Sequence, residues 1–541
     1  MSSSRAQHEA CALPVAPPLV GVHRTLADAL TAAGTQHGER EAIVDGDRRL
    51  SFAEWDRCAE GLARVLVQRG VRPGDVVAIV LPSSIDYAIA YGAITKAGAI
   101  ATGLNLRLGA HEVAAILAIA PPALVIVDRD AAAFRLPAGV ATFEHSELPA
   151  AYTAAPLAEG RPPRQPDDPA VIIWTSGTTG VPKGAWFDHR NLESAVLSAG
   201  IMSRPYDRKL VGTPFPHAGY MAKLWDQLAW GTCIVVSPAP WTPQSMLHSL
   251  VHERITVAGG VPTQWAKLLE LPDVGAADLS SVRLGLVATA PASPELIERV
   301  TATIGCPLIV RYAMTESPSI TGTEPHDPPD VQCHTVGRAQ EGMEIDLVDE
   351  AGAPVTAGAV GRVRVRGACV MRGYWGAPET TAAVLGPDGW LTSSDLGRLD
   401  PDGNLVLVGR TTDMYIRGGY NVYPLEVENV LADHPQIDRV AVVGTAAAVI
   451  GEIGVAFVAP TDPAHPPTLA ALRQWTRERL ADYKAPDRLV IVEALPLTSM
   501  LKIDKAQLSR MAALTTDTRT TDTRTTDTRT TDTRTGDGAH H

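Results

Sequence analysis

A run of glycine and hydroxyl-bearing residues after an apolar stretch is the part of the chain best suited to chemistry. Residues 170–174 have the pattern of a buried strand, and the next ten residues, TSGTTGVPKG, contain three glycines, four hydroxyl side chains and one lysine. Glycines let backbone N–H groups turn toward an anion, hydroxyls add hydrogen-bond donors, and the lysine supplies positive charge. The segment therefore predicts a phosphate-binding loop made of Thr175, Ser176, Gly177, Thr178, Thr179, Gly180 and Lys183.

The spacing of this loop differs from that of the nucleotide-binding P-loop, in which lysine directly follows glycine and Ser or Thr directly follows lysine. Here Pro182 precedes Lys183, and Gly184 follows it. An ordinary glycine- and threonine-rich surface turn is the alternative interpretation. The segment resembles the phosphate loop of the adenylate-forming superfamily, which includes acyl-CoA synthetases, luciferases and peptide-synthetase adenylation domains.

Length and charge indicate a large protein of more than one domain that has no basic surface for nucleic acid. The chain has 541 residues, of which 45% are hydrophobic, and its net charge is −13. Such a chain can bury a sizeable core. An acidic balance provides no general attraction for nucleic acid or for an anionic membrane. We therefore expect small-molecule substrates and no nucleic-acid partner.

Nothing in the chain predicts export or a membrane span. The first sixteen residues lack the apolar core of a secretion signal. The apolar stretch 76–104 is interrupted by Pro82, Asp86 and Lys96, so it cannot form a continuous spanning helix. The six cysteines are scattered without a Cys-x-x-Cys pair, which is typical of reduced thiols. A cytoplasmic location is expected.

Helical patterns alternate with short apolar runs through the first part of the chain. Helices are predicted at 52–69 and 87–97, and strands at 76–81, 210–211, 233–236, 284–287 and 308–311. This alternation predicts a mostly parallel sheet covered by helices. From Gly361 the pattern becomes antiparallel and barrel-like, with turns at Asp388-Gly389 and Asp402-Gly403.

The fold class predicted is α/β, with a large N-terminal domain of helix-covered, mostly parallel sheets plus a small β-barrel-like part. A small, mobile α+β domain follows it. The predicted limits are an N-terminal arm at 1–20, the large AMP-binding domain at 21–410, the small domain at 411–514 and a tail at 515–541. The tail contains four copies of TTDTR, and these repeats have no apolar residue. We expect the tail to be disordered and to have no catalytic role.

The resemblance covers residues 25 to 510 approximately and includes further motifs in the family's order. The segment RYAMTE, 311–316, follows a predicted strand, so its side chains should lie at the carboxyl edge of the sheet, where ligands bind. By resemblance Tyr312 flanks adenine, Thr315 contacts the α-phosphate and Glu316 binds Mg²⁺, a metal that prefers oxygen ligands. A helix N-terminus is the alternative for the Thr-Glu pair.

Three later motifs match the family's nucleotide site, hinge and CoA site. Asp395 would accept hydrogen bonds from the ribose hydroxyls, although Ser393-Ser394 replace the family's Thr-Gly, and Arg410 would also contact the ribose. Thr412 occupies the hinge position. The segment Arg417, Gly418 and Gly419 resembles the loop that lines the pantetheine tunnel of CoA, and a tight turn between strands is its structural alternative.

The segment 496–505 resembles the loop that carries the family's catalytic lysine, and Lys502 matches that lysine. A cation between the carboxylate and the α-phosphate stabilises charge that develops as pyrophosphate leaves. The residue before the lysine is usually glycine in the family, but here it is Leu501. A leucine costs energy wherever φ must be positive. The substitution puts the adenylation step in question while leaving the CoA step unaffected.

The residues matching the family's acid site are His217, Gly260, Thr289, Ala290 and Ala313. His217 is predicted to orient the acid, with a purely structural histidine as the alternative. Ala313 stands where the family usually has glycine. The small and apolar character of these walls suggests a bulky, largely hydrophobic acid. His189, expected in the strand after the phosphate loop, is interpreted as structural.

The resemblance implies an acid–thiol ligase, an AMP-forming acyl-CoA synthetase that uses ATP, Mg²⁺ and CoA. Leu501, together with a resemblance to actinomycete secondary-metabolism ligases that act in pairs, motivates an alternative. In that alternative the protein only joins CoA to an acyl adenylate made by a partner enzyme. A stand-alone adenylation enzyme that loads a carrier protein is a second alternative, and a degenerate nucleotide-binding sensor is a third.

Overall fold

The computed structural model describes residues 20–132, 135–156, 163–175, 182–288, 294–447, 450–498 and 503–514. Its residues divide into two compact units, and the chain passes from the first to the second between Thr412 and Asp413. The second unit consists of Asp413–Leu497 and residues 503–514. The predicted tail at 515–541 and most of the predicted N-terminal arm lie outside the described residues.

Sixteen α-helices form within the described residues, and several begin where the sequence places a capping side chain. Ser51 and Glu54, for example, form a reciprocal capping box at the start of the second helix. The helices are α1 Leu26–His37, α2 Phe52–Gln68, α3 Ile85–Lys96, α4 Ala110–Ile119, α5 Leu148–Ala151, α6 His189–Leu197, α7 Ala218–Met221, α8 Leu224–Trp230, α9 Pro243–His252, α10 Pro262–Leu269, α11 Pro294–Ile304, α12 Pro329–His334, α13 Pro378–Ala382, α14 Pro424–Ala432, α15 Leu469–Arg477 and α16 Lys505–Leu514.

Twenty-five strands form within the same described ranges. They are β1 Glu41–Asp45, β2 Arg48–Ser51, β3 Val76–Val80, β4 Ile100–Gly103, β5 Leu124–Val127, β6 Thr142–Glu144, β7 Pro169–Thr175, β8 Lys183–Asp188, β9 Arg208–Val211, β10 Cys233–Val236, β11 Val257–Gly260, β12 Leu284–Ala288, β13 Leu308–Met314, β14 Ser317–Gly322, β15 Arg338–Ala339, β16 Met343–Val348, β17 Gly361–Gly367, β18 Gly373–Tyr374, β19 Leu391–Leu399, β20 Leu405–Arg410, β21 Tyr415–Arg417, β22 Tyr420–Val422, β23 Ile437–Ala447, β24 Gly451–Pro460 and β25 Arg488–Ile491.

Two large sheets dominate the first unit. One has the order β18-β8-β7-β4-β3-β5-β6, and the other has the order β15-β14-β13-β12-β11-β9-β10-β1-β2. The central strands of both are parallel, and β3 is buried along its whole length. Continuous apolar runs suit such strands because helices cover both faces of a parallel sheet. The helix-covered, mostly parallel architecture predicted from the sequence is confirmed.

The third sheet of the first unit is antiparallel, with the order β16-β17-β19-β20. Its predicted turns contain Gly389 and Gly403, and both have φ of +81°, a conformation that strongly favours glycine. In the second unit β22-β21-β24-β23 form a sheet that β25 joins alongside β24, with α14, α15 and α16 in the same unit. The predicted α/β class, with an antiparallel part and a further small α+β unit, is therefore confirmed.

The cysteines of the described residues form no disulfide, which agrees with the expectation of reduced thiols. Five cysteines, at 58, 233, 306, 333 and 369, are free and buried, and Cys11 lies outside the described residues. Among the helices described, none combines the length and the apolar character needed to cross a lipid bilayer.

Candidate active site

The hairpin of β13 and β14 positions the first group of candidate residues. Met314 pairs with Ser317, so Thr315 and Glu316 form the two-residue connection between these strands. Because β11, β12 and β13 run parallel, this connection lies at the carboxyl end of the sheet, as the sequence predicts. Glu316 is partly buried there.

Tyr312, Asp395 and Arg410, hereafter the nucleotide cluster, come together although the chain separates Tyr312 from Asp395 by 83 residues. The Tyr312 hydroxyl donates to Asp395 Oδ2 at 2.5 Å, and Arg410 Nε donates to Oδ1 at 2.7 Å. Arg410 stands directly opposite Asp395 because β19 and β20 pair in that register. Burial, reinforced by the Asp395 charge, raises the pKa of Tyr312 well above its usual value, so this hydroxyl remains a donor.

The nucleotide cluster has capacity left for a ligand with two hydroxyls. An ionised carboxylate offers about four lone-pair positions, and the two contacts above use one on each oxygen of Asp395. The Asp395 backbone N–H donates to Ser393 Oγ at 3.0 Å, and that hydroxyl donates to the Val363 carbonyl. The Ser393 that replaces the family's threonine therefore still supports Asp395 in the strand.

Glu316, Tyr374 and Lys183, hereafter the glutamate row, form a second polar group. The Tyr374 hydroxyl donates to Glu316 Oε1 at 2.7 Å, and Lys183 Nζ lies 5.3 Å from the centre of the Tyr374 ring. Burial and the Glu316 charge raise the pKa of Tyr374. Tyr374 was missed in the sequence, where its only signal is an aromatic pair, Tyr374-Trp375, flanked by glycines.

The glutamate row has the chemistry that a phosphate-bound magnesium ion needs. No donor among the described residues reaches Glu316 Oε2, so a hard oxygen ligand remains for a metal. Within the same residues no group of three or more His, Cys, Asp or Glu side chains could hold a metal ion alone. Glu316 therefore fits Mg²⁺ that takes its other ligands from substrate phosphates and water.

The phosphate loop is described only at its two ends. Thr175 ends β7, Lys183 begins β8, and the two residues pair across the hairpin. Other candidates lie outside the described residues: Ser176, Gly177, Thr178, Thr179 and Gly180 of this loop, Thr289 and Ala290 of the acid site, and Leu501 and Lys502. Their predicted roles stay predictions.

His217 is the N-cap of α7, and its Nδ1 accepts the Gly219 N–H at 3.2 Å. An imidazole that accepts at Nδ1 carries its proton on Nε2 when neutral, so Nε2 is the nitrogen suited to donate to an acid. Gly260 ends β11, and a Cβ there would lie 3.0 Å from Trp265 Nε1, tighter than most side chains tolerate. Ala313 is exposed in β13.

Arg417, Gly418 and Gly419 lie in the second unit. The two glycines connect β21 to β22 with φ of +57° and +87°, so the tight turn considered as the structural alternative is present. Arg417 makes a bidentate contact with Asp487, at 2.8 and 2.6 Å. Its charge is therefore already balanced within the unit, and the CoA role of this segment stays a prediction.

Thr412, the predicted hinge residue, is the last residue before the second unit.

The expected position of His189 is wrong. The strand after the phosphate loop, β8, ends at Asp188, and His189 is the first residue of α6 because Asp188 and Asn191 form a capping box. His189 Nδ1 accepts the Leu26 N–H at 3.2 Å, and burial lowers the pKa of His189 to about 4. The interpretation of this residue as structural agrees with those contacts.

Comparison with known proteins extends these observations to the whole chain. The model of the AMP-binding enzyme family matches residues 30–375, and that of the AMP-binding enzyme C-terminal domain matches 426–502. A feruloyl-CoA synthase from Amycolatopsis sp is 35% identical over 489 residues, which cover 87% of this chain and 95% of the relative. The ligase of Rhodococcus jostii for 3-[(3aS,4S,7aS)-7a-methyl-1,5-dioxo-octahydro-1H-inden-4-yl]propanoyl:CoA is 33% identical over 516 residues, covering 89% and 97%.

A similar solved structure is the o-succinylbenzoate CoA synthetase MenE of Bacillus subtilis in complex with the acyl-adenylate intermediate OSB-AMP. Its TM-score is 0.78 at 27% identity, and the match covers 89% of this chain and 97% of that one. The chain belongs to the AMP-binding enzyme family of adenylate-forming enzymes, in the branch of the acyl-CoA synthetases and ligases. It is an enzyme of the acid–thiol ligase class.

Proposed function

We propose that this protein activates a bulky, largely hydrophobic carboxylic acid with ATP and transfers the acyl group to CoA. The observation that carries the proposal is the nucleotide cluster, held beside a strand end that also supplies Glu316. Relatives named as CoA ligases, and one solved with an acyl adenylate, support the same pair of half-reactions.

In the first half-reaction an oxygen of the acid attacks the α-phosphorus of ATP, and the bond to pyrophosphate breaks. The nucleotide cluster would hold the ribose, because Asp395 retains acceptor positions for its hydroxyls. Mg²⁺, when bound at Glu316, would neutralise charge on the phosphate oxygens. Lys183 and the loop before it would bind the phosphates, and Thr315 would donate to the α-phosphate.

In the second half-reaction the thiol of CoA loses its proton, and its sulfur attacks the acyl carbon. The carbon–oxygen bond to AMP then breaks, giving the thioester and AMP. A free carboxylate has no competent leaving group, and the adenylate provides one.

We further propose the domain limits 21–410 and 411–514 with Thr412 as the pivot, supported by the division of the described residues after Thr412. We also propose a cytoplasmic location.

Two alternatives keep the same family but change one step. Leu501 in place of glycine motivates a protein that only joins CoA to an acyl adenylate supplied by a partner enzyme. A separate carrier protein in place of CoA is the other alternative. Both keep the nucleotide cluster, since each requires binding of an acyl adenylate.

The test measures pyrophosphate, AMP and thioester from a panel of carboxylic acids with ATP, Mg²⁺ and CoA. Parallel reactions replace acid and ATP with synthetic acyl adenylate, or replace CoA with carrier proteins. Thioester from acid and ATP supports the proposal. Thioester from adenylate alone favours the first alternative, loading of a carrier in preference to CoA favours the second, and no AMP from any acid or adenylate contradicts all three.

A further inference from the structure

Arg311 is a buried cation that no described residue pairs by a hydrogen bond. Its side chain is only 12% exposed, and its Nε, Nη1 and Nη2 atoms are all inaccessible to solvent and without a hydrogen-bond partner among the described residues. The nearest carboxylate, that of Glu324, is 3.8 Å away and its side chain is 41% exposed. A buried charge without hydrogen bonds is among the most unfavourable arrangements in a protein interior.

A glycine on the neighbouring strand leaves space for the Arg311 guanidinium. Arg311 pairs with Gly322 on β14, and its side chain passes over that glycine, where any Cβ would collide with it. Burial lowers the pKa of Arg311 to about 10, and the same effect raises the pKa of Glu324. Glu324 forms an ion pair with Arg311 at 3.8 Å but no hydrogen bond. An arginine nevertheless remains charged near neutral pH.

Lys223 is a second cation of the first unit, and the charge of Arg311 acts on it. It is partly buried just after α7. Burial lowers its pKa, Cys369 and Asp226 raise it, and the charges of Lys209 and Arg311 lower it to a smaller extent. The acid closest to it in the chain, Asp226, accepts hydrogen bonds at Oδ2 from Lys209 at 3.0 Å and from Ser203 at 2.8 Å, whereas its Oδ1 has no hydrogen-bond partner among the described residues. Within the described ranges no carboxylate forms an ion pair with Lys223. Among the described residues, Arg311 and Lys223, hereafter the cation pair, form no hydrogen bond with a carboxylate.

The cation pair comes from two elements that also carry residues expected at the acid site. Arg311 stands two residues before Ala313 on β13. Lys223 follows the short helix α7 that His217 caps. Two residues before Arg311 on β13, Ile309 lies in a row with Leu286 and Gly259, so this part of the sheet carries small and apolar residues.

We propose, on the basis of the function proposed above, that the acid carries a second anionic group. This group is a carboxylate remote from the one that is activated, and the Arg311 guanidinium and the Lys223 ammonium bind it. A neutral carbonyl oxygen would satisfy a hydrogen bond but would leave the charge uncompensated, whereas a carboxylate provides both. The rest of the acid remains apolar, as the small residues of this part of the sheet require.

The experiment compares acids that differ only at the end remote from the reacting carboxyl group. In each aliphatic or arylalkanoic set one member ends in a carboxylate, one in its methyl ester and one in a methyl group. The readout is kcat/KM for AMP and thioester formation, or for thioester formation from the corresponding adenylates. We expect the best carboxylate-ended acid to exceed its methyl-ended counterpart by about a hundredfold, since a site built for a polar group rejects the analogue that lacks it.

Single substitutions test which residues cause the preference for the carboxylate-ended acid. Arg311→Met should abolish most of this preference, Lys223→Met should reduce it, and Arg311→Lys should retain part of it because the charge remains. Arg338→Met is the matched control, because Arg338 lies opposite Gly322 on β15, is exposed and is paired with Asp327. The control should keep the preference of the unmodified protein.

Three results would overturn the proposal of a second carboxylate. One is equal use of the carboxylate-ended and methyl-ended acids in every set, and another is equal use of the methyl ester and the carboxylate. The third is a preference that survives in Arg311→Met. A melting temperature of Arg311→Met clearly below that of the control would show a structural arginine and would also count against the proposal. If no acid or adenylate in any set reacts, the function itself fails, which is a different outcome from reaction without the preference.

Discussion

Two consecutive residues of β13 face opposite sides of the same sheet and differ in how their polar groups are satisfied. On one side the Tyr312 hydroxyl contacts Asp395, which also accepts from Arg410. On the other side Arg311 has three buried nitrogens without a hydrogen-bond partner among the described residues. Within the described part of the chain, the polar groups of the first network are hydrogen-bonded to one another and the guanidinium of the second is not.

This difference fits two kinds of ligand. Adenosine is the same in every reaction of the family, so side chains that are already hydrogen-bonded to one another can be preorganised around it. The acid differs from enzyme to enzyme, and in our proposal part of its binding site is completed by the acid itself. The comparison therefore predicts different consequences for substitutions on the two faces.

The largest effect is expected on the satisfied face. Asp395→Asn removes the charge and one acceptor oxygen, so Tyr312, Arg410 and the ribose would compete for a single carbonyl oxygen. We expect the rate of AMP formation to fall about a thousandfold, together with weaker ATP binding by calorimetry. Asp346→Asn is the control, because Asp346 pairs with Arg364 in the same antiparallel sheet. Equal ATP affinity in the two variants would contradict the role of Asp395.

The next prediction compares, through stability, an arginine that is hydrogen-bonded to a carboxylate with one that has no hydrogen bond among the described residues. Arg283 contacts Asp207, including a 2.9 Å hydrogen bond from Nε, and Asp207 is buried. Arg283→Met should lower the free energy of unfolding by about 3 kcal/mol, since it leaves a buried carboxylate uncompensated. Arg311→Met should change it by less than about 1 kcal/mol, because it removes a buried charge that lacks a hydrogen-bond partner.

Denaturation with urea measures both variants in the same way. A large loss of stability in Arg311→Met would mean that this guanidinium supports the fold. The contrast between the two faces of β13 would then have to be abandoned.

A third prediction concerns a buried histidine away from both networks, His189. The unfolded chain binds a proton at this histidine near pH 6.5, whereas the folded protein does so only near pH 4. Since the unfolded state binds more protons between these values, stability falls as the pH drops from 6.5 toward 4. Between pH 6.5 and 5 the loss from this residue is about 2 kcal/mol.

His189→Asn tests this dependence, because the asparagine oxygen can accept the Leu26 N–H in place of Nδ1. The variant should lose less stability over the same pH range, measured as the melting temperature at each pH. His252→Asn, at the end of α9, serves as a control for general acid sensitivity. Identical pH profiles for His189→Asn and the unmodified protein would contradict the depressed pKa.

The smallest effect is expected in the glutamate row. Tyr374→Phe removes the hydrogen bond to Glu316 but keeps the ring beside Lys183. We expect about a tenfold loss of kcat/KM, which corresponds to one hydrogen bond to a charged group, and a need for more Mg²⁺. Tyr152→Phe is a matched control, since Tyr152 donates to Asp86 in a comparable contact. A magnesium titration that is the same for both variants would show that Tyr374 does not influence the metal.

Local sequence patterns predicted helices and strands better than they predicted which side chains would contact one another. The apolar run predicted as a strand at 76–81 is β3, and the predicted strand at 308–311 forms the first part of β13. From that strand it followed that Tyr312, Thr315 and Glu316 lie at the carboxyl edge of a sheet. The error at His189 arose because the capping box uses Asn191 where Glu or Gln is the usual signal.

Contacts between distant segments left no comparable signal. Tyr374 reaches Glu316 across 58 residues of chain, and neither sequence segment alone indicates the other. Arg311 and Lys223 likewise come from different elements, and only the structure shows that the three buried nitrogens of Arg311 have no hydrogen-bond partner among the described residues. Small residues such as Gly260 and Ala313 suggested an apolar site, whereas the positive charge that we propose for it has no signal in the sequence.

In our proposal, the opposite orientation of two neighbouring side chains on β13 makes the choice of acid and the binding of ATP independently adjustable. Exchanging position 311 would then alter the surface offered to the acid, while Tyr312 keeps its contact with Asp395 on the far side of the sheet. An enzyme with this strand could therefore acquire specificity for new acids, by natural or directed evolution, while its ATP-binding residues stay unchanged.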